Sequence, residues 1–361
     1  MKRNDSSSAN PRAKTPRMAK IPTIANAYAI VIAGGEGRRL WPLSSPDFPK
    51  QFVSVFGGTP LIRQTIDRLA GLIPPERILV VTAAKFIPLT RKMLPEIPAA
   101  NIIGEPCRRN TAGAVAIACA LVKRLGGDDA LGCVLPSDNI VNPVPEFQRA
   151  LKDAIAAAAG SDAIVTLGMQ PERAATEYGY IECDADAGLE TETPFCRVRR
   201  FVEKPDARTA RRYLKTQRYL WNAGIFVWRA STLEKAFADA APDIGAIIKP
   251  LSSSRNVPAA LRRIYPDIRP VSFDYAVMEK TAQILVAKCS FDWDDAGSWR
   301  SVAKYLPSDE NGNIVVGDGH AVAVAGLKDV IVVHTPEATL VMSKKSATNA
   351  GAIAEKALRQ K

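Results

Sequence analysis

Apolar residues recur along the first half of the chain in two alternating patterns. Short continuous apolar runs, such as Tyr28–Ile32, Ile78–Thr82 and Leu131–Leu135, are typical of strands buried in a parallel sheet. Between them, apolar residues three and four positions apart predict helices at 60–69, 86–94, 111–125 and 146–159. Strands that alternate with helices through short connections imply right-handed βαβ units. The sequence therefore predicts an α/β fold with a Rossmann-like, mostly parallel sheet flanked by helices.

The pattern changes near residue 309. Short β-type runs at 314–316, 320–325, 330–334 and 338–342 lie too close together for helices between them. An Ala- and Lys-rich stretch at 351–360 then predicts a final helix. We expect a main domain over residues 26–308 and a small β unit, ending in a helix, over residues 309–361.

The 361 residues, 47% of them hydrophobic, are enough for one large domain and a smaller one. Their formal net charge of +11 is uneven, because residues 1–20 hold six Lys or Arg residues and one acid, Asp5. This Ser-, Asn- and Pro-containing stretch cannot bury a core, so we expect residues 1–25 to form a disordered basic tail. A solvated tail, a misassigned start codon and an anionic partner are all compatible with that charge.

The rest of the composition argues against several classes of protein. The basic residues are not grouped in patches interleaved with aromatic residues, so we expect no binding of nucleic acid. No apolar run approaches the roughly 20 residues of a membrane span, and the basic tail lacks the apolar centre of a secretory signal. We therefore expect a soluble cytoplasmic protein that does not bind a membrane.

The cysteines fit the same expectation. They form no CxxC pair, and several lie in apolar runs. We predict reduced, buried thiols rather than disulfides or zinc ligands. The residues concerned are Cys107, Cys119, Cys133, Cys183, Cys196 and Cys289.

The first predicted strand ends in a glycine-rich loop. Gly34, Gly35 and Gly37 leave backbone N–H groups accessible, which suits the binding of a phosphate. The dinucleotide fingerprint would need glycine where Leu40 stands, and the P-loop would need Gly-Lys-Ser or Gly-Lys-Thr. Cations instead occur within the loop, at Arg38 and Arg39, and again at Lys50. This arrangement suits a triphosphate, although a turn with solvated arginines would have the same sequence.

Acidic residues mark two later positions in the chain. Asp138 follows the strand predicted at 131–135, and a magnesium–triphosphate site needs a carboxylate of this kind, although a lone aspartate after a strand is most often a turn residue. Asp292, Asp294 and Asp295 form a second group, and neighbouring carboxylates repel one another unless a cation lies between them. The ends of parallel strands are where ligands of such sheets bind.

Taken together, these motifs resemble those of the sugar-1-phosphate nucleotidylyltransferases. The loop Gly-Gly-x-Gly-x-Arg-Leu-x-Pro-Leu, followed by Pro-Lys, is similar to the family's signature loop, and Trp41 and Lys50-Gln51-Phe52 are similar to its mannose-1-phosphate guanylyltransferase branch. The resemblance covers roughly residues 28–345. It implies that mannose 1-phosphate attacks the α-phosphorus of GTP with the help of Mg²⁺, which releases pyrophosphate and forms GDP-mannose.

The resemblance also implies a role for each matching residue. Residues implied to bind the nucleotide are Gly34, Gly35, Gly37, Arg38, Glu105, Arg109, Asn110, Thr111 and Ser137. Residues implied to bind the sugar are Gly179, Glu203, Asn222 and Asp274. The implied catalytic set is Arg39, Lys50, Asp138, Lys204 and Asp295, in which Asp138 and Asp295 would hold the Mg²⁺. Structural alternatives stay open: a helix N-cap at Asn110, Thr111 or Asp274, and an ion-paired strand rim at Glu203 and Lys204.

Several positions depart from the family's motifs. Gly113 stands for proline, Asn139 for histidine, Ala223 for serine and Ala296 for valine. An enzyme for another base or sugar, such as a glucose-1-phosphate thymidylyltransferase, therefore stays open, as does a catalytically silent relative that binds sugar nucleotides. In this family the C-terminal region is a β-helix-like module that packs on the catalytic domain or between subunits, so a homodimer also stays open.

Overall fold

The computed structural model describes residues 24–35, 37, 39–55, 58–317, 319–348 and 350–358. Arg38 and nearly all of the predicted basic tail lie outside the described residues. Within the described part of the chain, no helix is both long and apolar enough to span a lipid bilayer.

Strands and helices alternate through the first half of the chain, as the apolar pattern predicts. The described strands are β1 (Ala27–Ala33), β2 (Ile78–Ala83), β3 (Ile102–Glu105), β4 (Leu131–Pro136), β5 (Ile140–Asn142), β6 (Ile164–Met169), β7 (Tyr180–Asp186), β8 (Phe195–Val202), β9 (Tyr219–Arg229), β10 (Ile284–Cys289), β11 (Asp292–Asp294), β12 (Ile314–Val316), β13 (Val330–His334) and β14 (Thr339–Ser343).

The described helices are α1 (Leu61–Asp67), α2 (Ile87–Met93), α3 (Asn110–Gly126), α4 (Val144–Ala159), α5 (Ala207–Thr216), α6 (Ala230–Ala240), α7 (Pro242–Gly245), α8 (Ile248–Ser252), α9 (Val257–Ile264), α10 (Trp299–Val302) and α11 (Ala350–Leu358). A π-helical turn spans Asp274–Met278. The helices predicted in the first half agree with α1 to α4 to within about two residues at each end.

The main sheet has the strand order β3-β2-β1-β4-β9-β6-β10-β8-β7. Its strands run in one direction except β8 and β9, which are antiparallel to their neighbours. The prediction of a mostly parallel sheet is therefore confirmed. The sequence did not indicate that an antiparallel strand, β9, would lie in the middle. It fits there because nearly all of its residues are buried and because Gly132 of β4 faces Trp228, whose indole would lie 2.2 Å from a Cβ at position 132.

Two apolar cores cover the two faces of this sheet. Successive strand residues point to opposite faces, so Ile30 belongs to one core and Val31 to the other. The core around Val31 includes Phe147 of α4, and the core around Ile30 includes Ile117 of α3 and Phe237 of α6. Helices therefore flank the sheet on both sides, and the carboxyl ends of its parallel strands remain free to form a site.

The C-terminal region forms a separate sheet with the order β12-β13-β14. Three of the four predicted β runs correspond to these strands, and the prediction of a strand at 320–325 is wrong, because the chain there follows an irregular path. The sheet shares an apolar core with residues of the glycine-loop region, which include Leu40 and Val53, and with Trp299. The boundary at residue 309 stays a prediction.

The cysteine prediction is wrong for one pair. Cys183 of β7 and Cys196 of β8 form a disulfide, with their Cα atoms 5.8 Å apart. These strands are antiparallel neighbours, and their pairing brings together residues 13 positions apart in the sequence at a distance that a disulfide can bridge. The spacing alone could not indicate this pair. Cys119 and Cys133 are free and buried, as predicted, whereas Cys107 and Cys289 are free and half-buried.

Candidate active site

A cavity of about 550 Å³, here called the main cavity, opens where β1, β3 and β4 end. These strands are parallel members of one sheet, so the loops that follow them meet at one edge. Phe226 and Phe273 form part of its apolar wall, with ring centroids 5.0 Å apart. The residues singled out from the sequence that line it are Gly34, Gly35, Glu105, Arg109, Asn110, Thr111, Ser137, Asp138 and Asp274.

Glu105, at the end of β3, is the buried carboxylate of this cavity. Its side chain accepts a hydrogen bond from the hydroxyl of Tyr265, and burial raises its pKa to about 7, although Tyr265 and Arg108 act in the opposite direction. Gly34 allows this close approach, because a Cβ at position 34 would lie 2.9 Å from Glu105 Oε2. The glycine loop and the carboxylate therefore form one wall.

Gly113, which departs from the family's proline, contributes to the same wall. A Cβ at position 113 would lie 2.6 Å from the hydroxyl oxygen of Tyr265. The absence of a side chain at this position of α3 therefore makes room for the hydroxyl that holds Glu105. The sequence comparison of motifs singled out Gly113 but gave no signal for Tyr265, which lies more than 150 residues further along the chain.

Lys50 joins two parts of the site that are distant in sequence. Its ammonium nitrogen lies 2.9 Å from Asp138 Oδ2 and donates to the backbone carbonyl of Asp295 at 2.6 Å. The side chain is almost fully buried and runs beside the glycine loop, since a Cβ at position 37 would lie 3.3 Å from its stem. Lys50 therefore holds together the glycine loop and both loops that carry the predicted metal ligands.

The residues after Lys50 explain the rest of that motif. Gln51 donates to the carbonyls of Ala33 and Gly35, at 2.9 and 3.2 Å, and so fixes the backbone of the glycine loop. Phe52 is buried against Phe86, with ring centroids 5.6 Å apart. Gln51 therefore positions the glycine loop, and Phe52 anchors the motif in the core.

The carboxylate of Asp295 has its own partners. Its Oδ1 atom accepts from the backbone N–H of Gly297 at 3.0 Å and from the hydroxyl of Tyr178 at 3.3 Å. The following residue, Ala296, has φ +45°, a conformation that non-glycine residues adopt rarely. The neighbouring Asp294 is buried, and its pKa is raised, first by burial and then by Asp295. This tight turn keeps two carboxylates close together.

A second group of predicted residues lies beside Asp274. Asn222 donates to Asp274 Oδ1 at 3.0 Å, and burial, followed by the charge of Glu203, raises the pKa of Asp274 to about 7. Lys204 pairs with Glu203 at 2.5 Å, while a Cβ at Gly179 would lie 2.6 Å from the other oxygen of that carboxylate. The structure thus brings together every residue predicted to bind sugar.

The alternative of helix caps is not supported for these residues. Asp274 is the first residue of the π-helical turn, whose N-cap residue is Phe273, and the Asp274 carboxylate accepts from Asn222. Helix α3 begins at Asn110, and its N-cap residue, Arg109, also makes no side-chain cap. Asn110 accepts from the N–H of Thr111 at 2.8 Å, and Thr111 accepts from the N–H of Phe273 at 2.8 Å. Asn110 therefore fixes the first turn of α3, and Thr111 connects that turn to the segment just before Asp274.

The surroundings of three other predicted residues differ from one another, although Arg109 and Ser137 both line the main cavity. Arg39 is exposed and does not line the main cavity. Arg109 donates to the carbonyl of Pro266. Ser137 is buried, and its N–H donates to the carbonyl of Ile32 at 3.1 Å. The role predicted for Arg38 falls outside the described residues.

Arg68 is a site residue that the motifs missed. This buried arginine of the segment after α1 donates to the carbonyl of Asn139 at 2.6 Å, and burial lowers its pKa to about 10. The side chain of Asn139 in turn accepts from the indole N–H of Trp293 at 3.3 Å. Asn139, one of the departures from the family, therefore ties the Asp138 turn to the strand that precedes Asp295. The available signal was an arginine on the apolar side of a predicted helix.

Two family models match the chain. The nucleotidyl transferase model matches residues 28–312, and the model of the MannoseP isomerase/GMP-like beta-helix domain matches residues 306–356. The first covers most of the main domain, and the second covers most of the small β unit.

Individual relatives agree with these matches. The chain is 36% identical over 335 residues to a mannose-1-phosphate guanylyltransferase of Klebsiella pneumoniae, with 88% of this chain and 70% of that protein covered. It is 37% identical over 339 residues to the alginate biosynthesis protein AlgA of Pseudomonas aeruginosa, with 87% and 69% covered. A crystal structure described as mannose-1-phosphate geranyltransferase from Thermus thermophilus superposes with a TM-score of 0.81 at 31% identity, covering 92% of this chain and 99% of that one.

Proposed function

Because this chain belongs to the nucleotidyl transferase family, we propose that it makes GDP-mannose and pyrophosphate from GTP and mannose 1-phosphate. The observation that carries the proposal is the position of Lys50, which contacts the Asp138 carboxylate and the Asp295 carbonyl beside the glycine loop. A fixed cation between a phosphate-binding loop and a carboxylate that can bind a metal suits a reaction between two phosphorylated substrates.

The reaction needs no covalent intermediate on the protein. An oxygen of mannose 1-phosphate is already anionic and pyrophosphate leaves readily, so the protein has to align the two reactants and reduce their repulsion. In our proposal, the N–H groups of the glycine loop, together with Arg39 and Lys50, bind the triphosphate. Lys204 binds the phosphate of the sugar, and its ion pair with Glu203 holds it at the sugar end of the site.

The donor set fits a magnesium ion that is completed by substrate. No group of three or more His, Cys, Asp or Glu side chains that could hold a metal occurs in the described part of the chain. Mg²⁺ commonly takes one or two carboxylates and fills its remaining positions with phosphate oxygens and water. Asp138 and Asp295, in two loops that Lys50 links, are the residues that would hold it. When bound, Mg²⁺ would neutralise charge on the phosphates.

We infer that the main cavity binds guanine as the base. An ionised Glu105 can accept from the two adjacent donors on the Watson–Crick edge of guanine, and the hydrogen bond from Tyr265 fixes its orientation. Adenine has a ring nitrogen that accepts where guanine has a ring N–H. The carboxylate of Glu105 would therefore face another acceptor. Asp274, Glu203 and Asn222 supply the acceptors and donors that bind sugar hydroxyls.

A pyrophosphate-release assay tests this proposal. GTP, ATP, UTP and dTTP are each paired with mannose 1-phosphate and with glucose 1-phosphate, in the presence of Mg²⁺. We expect the highest kcat/KM for GTP with mannose 1-phosphate. A higher value for another pair would contradict the substrate assignment, and binding of GDP-mannose without turnover of any pair would identify a catalytically silent relative.

A further inference from the structure

A second, basic cavity of about 450 Å³ lies where α10 and the 3-10 turn after it face the C-terminal sheet. We call it the basic cavity, and it is lined by Arg300, Ala303, Lys304, Ile331, Lys344 and Lys345. None of these residues lines the main cavity. Four of the six carry a positive charge, and no acidic side chain is among them. Its volume suits a small metabolite rather than a macromolecule.

The positive charges around this cavity are only partly neutralised by the protein. Arg300 and Lys304 are four positions apart on one short helical segment, and Lys344 and Lys345 are adjacent, so like charges repel within each pair. Among the described residues, the only ion pair within 4 Å that involves any of these four side chains joins Lys304 to Asp294, at 3.8 Å.

Acidic groups beside the cavity neutralise part of this excess, because Lys304 also lines a neighbouring cavity with Glu172, Asp292 and Asp294. The pKa of Asp309 is lowered mainly by hydrogen bonds from Asn313, and Lys344 is a minor contributor. Asp294 is turned towards the adjacent turn, where it accepts from the N–H of Ala296 at 2.9 Å. Asp309 and Asp294 both keep their charge, but neither lines the basic cavity, so positive charge is in excess among the side chains that a ligand would meet.

We propose that the basic cavity binds a small anion with two or more phosphate groups, such as a pyrophosphate or the diphosphate of a nucleotide. The cavity has two walls with two cations each, and this arrangement matches a ligand with two phosphate groups better than a ligand with one. Arg300 can bind a phosphate through two parallel N–H groups, and the lysines act as point charges. Ala303 and Ile331 supply a small apolar surface beside these cations.

The location links such a ligand to the main site. Helix α10 follows the Asp295 turn directly and begins with the capping box of Ser298 and Ser301. An anion in the basic cavity would compete with Asp294 for Lys304 and would touch the sheet whose core includes Leu40. It would therefore contact both the segment after Asp295 and the β unit that packs on the glycine-loop region.

Calorimetric titration of the full chain with inorganic pyrophosphate, in EDTA, tests the proposal. One wall is changed by Lys344→Gln with Lys345→Gln, and the other by Arg300→Gln with Lys304→Gln. The control is Lys328→Gln with Lys356→Gln, two exposed lysines of the same region that do not line the cavity. We expect each cavity variant to weaken one pyrophosphate-binding event at least tenfold, because two charge-assisted contacts are lost, and the control to bind like wild type.

Wild-type binding in both cavity variants, or an equal loss in the control, would overturn the proposal. Thermal unfolding checks that every variant is folded. If a double variant is not, it is replaced by a single change at an exposed position of the same wall, Lys345→Gln or Arg300→Gln. Parallel titrations with inorganic phosphate, GDP and mannose 1-phosphate distinguish the possible sources of the anion. Turnover is measured separately, so a failure of this proposal and a failure of the proposed activity give different results.

Discussion

Two groups of carboxylates lie in this site, and they differ in what surrounds them. Glu105 is buried and Asp274 is half-buried, next to the neutral hydrogen-bond donors Tyr265 and Asn222. Desolvation raises the pKa of each to about 7, helped at Asp274 by the charge of Glu203. Asp138 instead lies 2.9 Å from the ammonium group of Lys50. We propose that the two carboxylates with raised pKa recognise neutral groups of the base and the sugar, and that the carboxylate beside Lys50 acts on the phosphates.

The largest expected effect concerns Asp138, in the part of the site that is proposed to bind phosphates. In Asp138→Asn, the side chain loses the charge that faces Lys50 and that would hold a metal, so we expect turnover to fall about 1,000-fold with little change in folding. Initial rates of pyrophosphate release measure it. The control is Asp47→Asn, an exposed aspartate beside Lys85, which should keep full activity. Full activity of Asp138→Asn at ordinary Mg²⁺ would refute the assignment.

The second effect concerns the proposed recognition of the base by Glu105, and it is tested by the dependence of stability on pH. The folded pKa of Glu105, about 7, lies above its ordinary value of 4.5, so the folded protein holds more protons between these values. The contribution of Glu105 to stability is therefore complete below about pH 4.5 and is lost as pH rises through 7, by up to about 3 kcal/mol. Because glutamine does not ionise, Glu105→Gln should remove this part of the loss of stability at high pH.

Chemical denaturation from pH 4.5 to 8 measures that component, and the GTP kinetics give an independent readout. If ionised Glu105 binds guanine, the KM for GTP in wild type should rise as pH falls from 8 to 6, whereas Glu105→Gln should show a high KM with a weaker dependence on pH. Identical pH profiles for the two proteins would remove Glu105 from base recognition.

The third effect concerns the residue that supports the Asp138 turn. Arg68→Met keeps much of the buried volume but leaves the carbonyl of Asn139 without its donor, so we expect a loss of about 1–3 kcal/mol in the free energy of unfolding. Arg63→Met is the matched control, because Arg63 lies on α1, five positions before Arg68, and pairs with Asp67 and Glu96 nearer the surface. It should cost less than about 1 kcal/mol. Equal losses would show that Arg68 has no special positioning role.

The smallest effect tests the fit between Gly113 and Tyr265. Gly113→Ala places a methyl group 2.6 Å from the Tyr265 hydroxyl, but alanine also favours the helix, so we expect a net loss near 1 kcal/mol together with a higher KM for GTP. In Gly351→Ala, the new methyl group meets open space in α11, and stability should rise slightly. If both variants gain stability and keep the KM for GTP, the Tyr265 contact does not position Glu105.

Much of the site follows from local sequence, and the remainder depends on contacts between distant segments. Apolar runs predict β1, β2 and β4, and the carboxyl ends of parallel strands share one edge, where Asp138 follows β4. The cation pattern and the family resemblance identify Lys50, and the resemblance alone identifies Glu105. Tyr265 and Arg68 reach the same edge from segments that carry no motif. Their hydrogen bonds span 160 and 71 residues, so only the folded chain makes them visible.

Where the predictions fail, an interaction across the sheet decides the structure. The antiparallel pairing of β7 with β8 creates the disulfide of Cys183 and Cys196, and the apolar run at 320–325 has no partner strand among the described residues. A strand needs a neighbour for its backbone hydrogen bonds as well as a suitable apolar pattern. The sequence shows the apolar pattern, but it does not show whether a neighbouring strand is available.

The position of bound GDP-mannose tests the division between the two carboxylate groups most directly. A crystal structure of the complex should place guanine against Glu105 and Tyr265, the mannose hydroxyls against Glu203, Asn222 and Asp274, and the diphosphate beside Lys50. A diphosphate bound away from Lys50 and the glycine loop, or a sugar that contacts Glu105, would contradict this account.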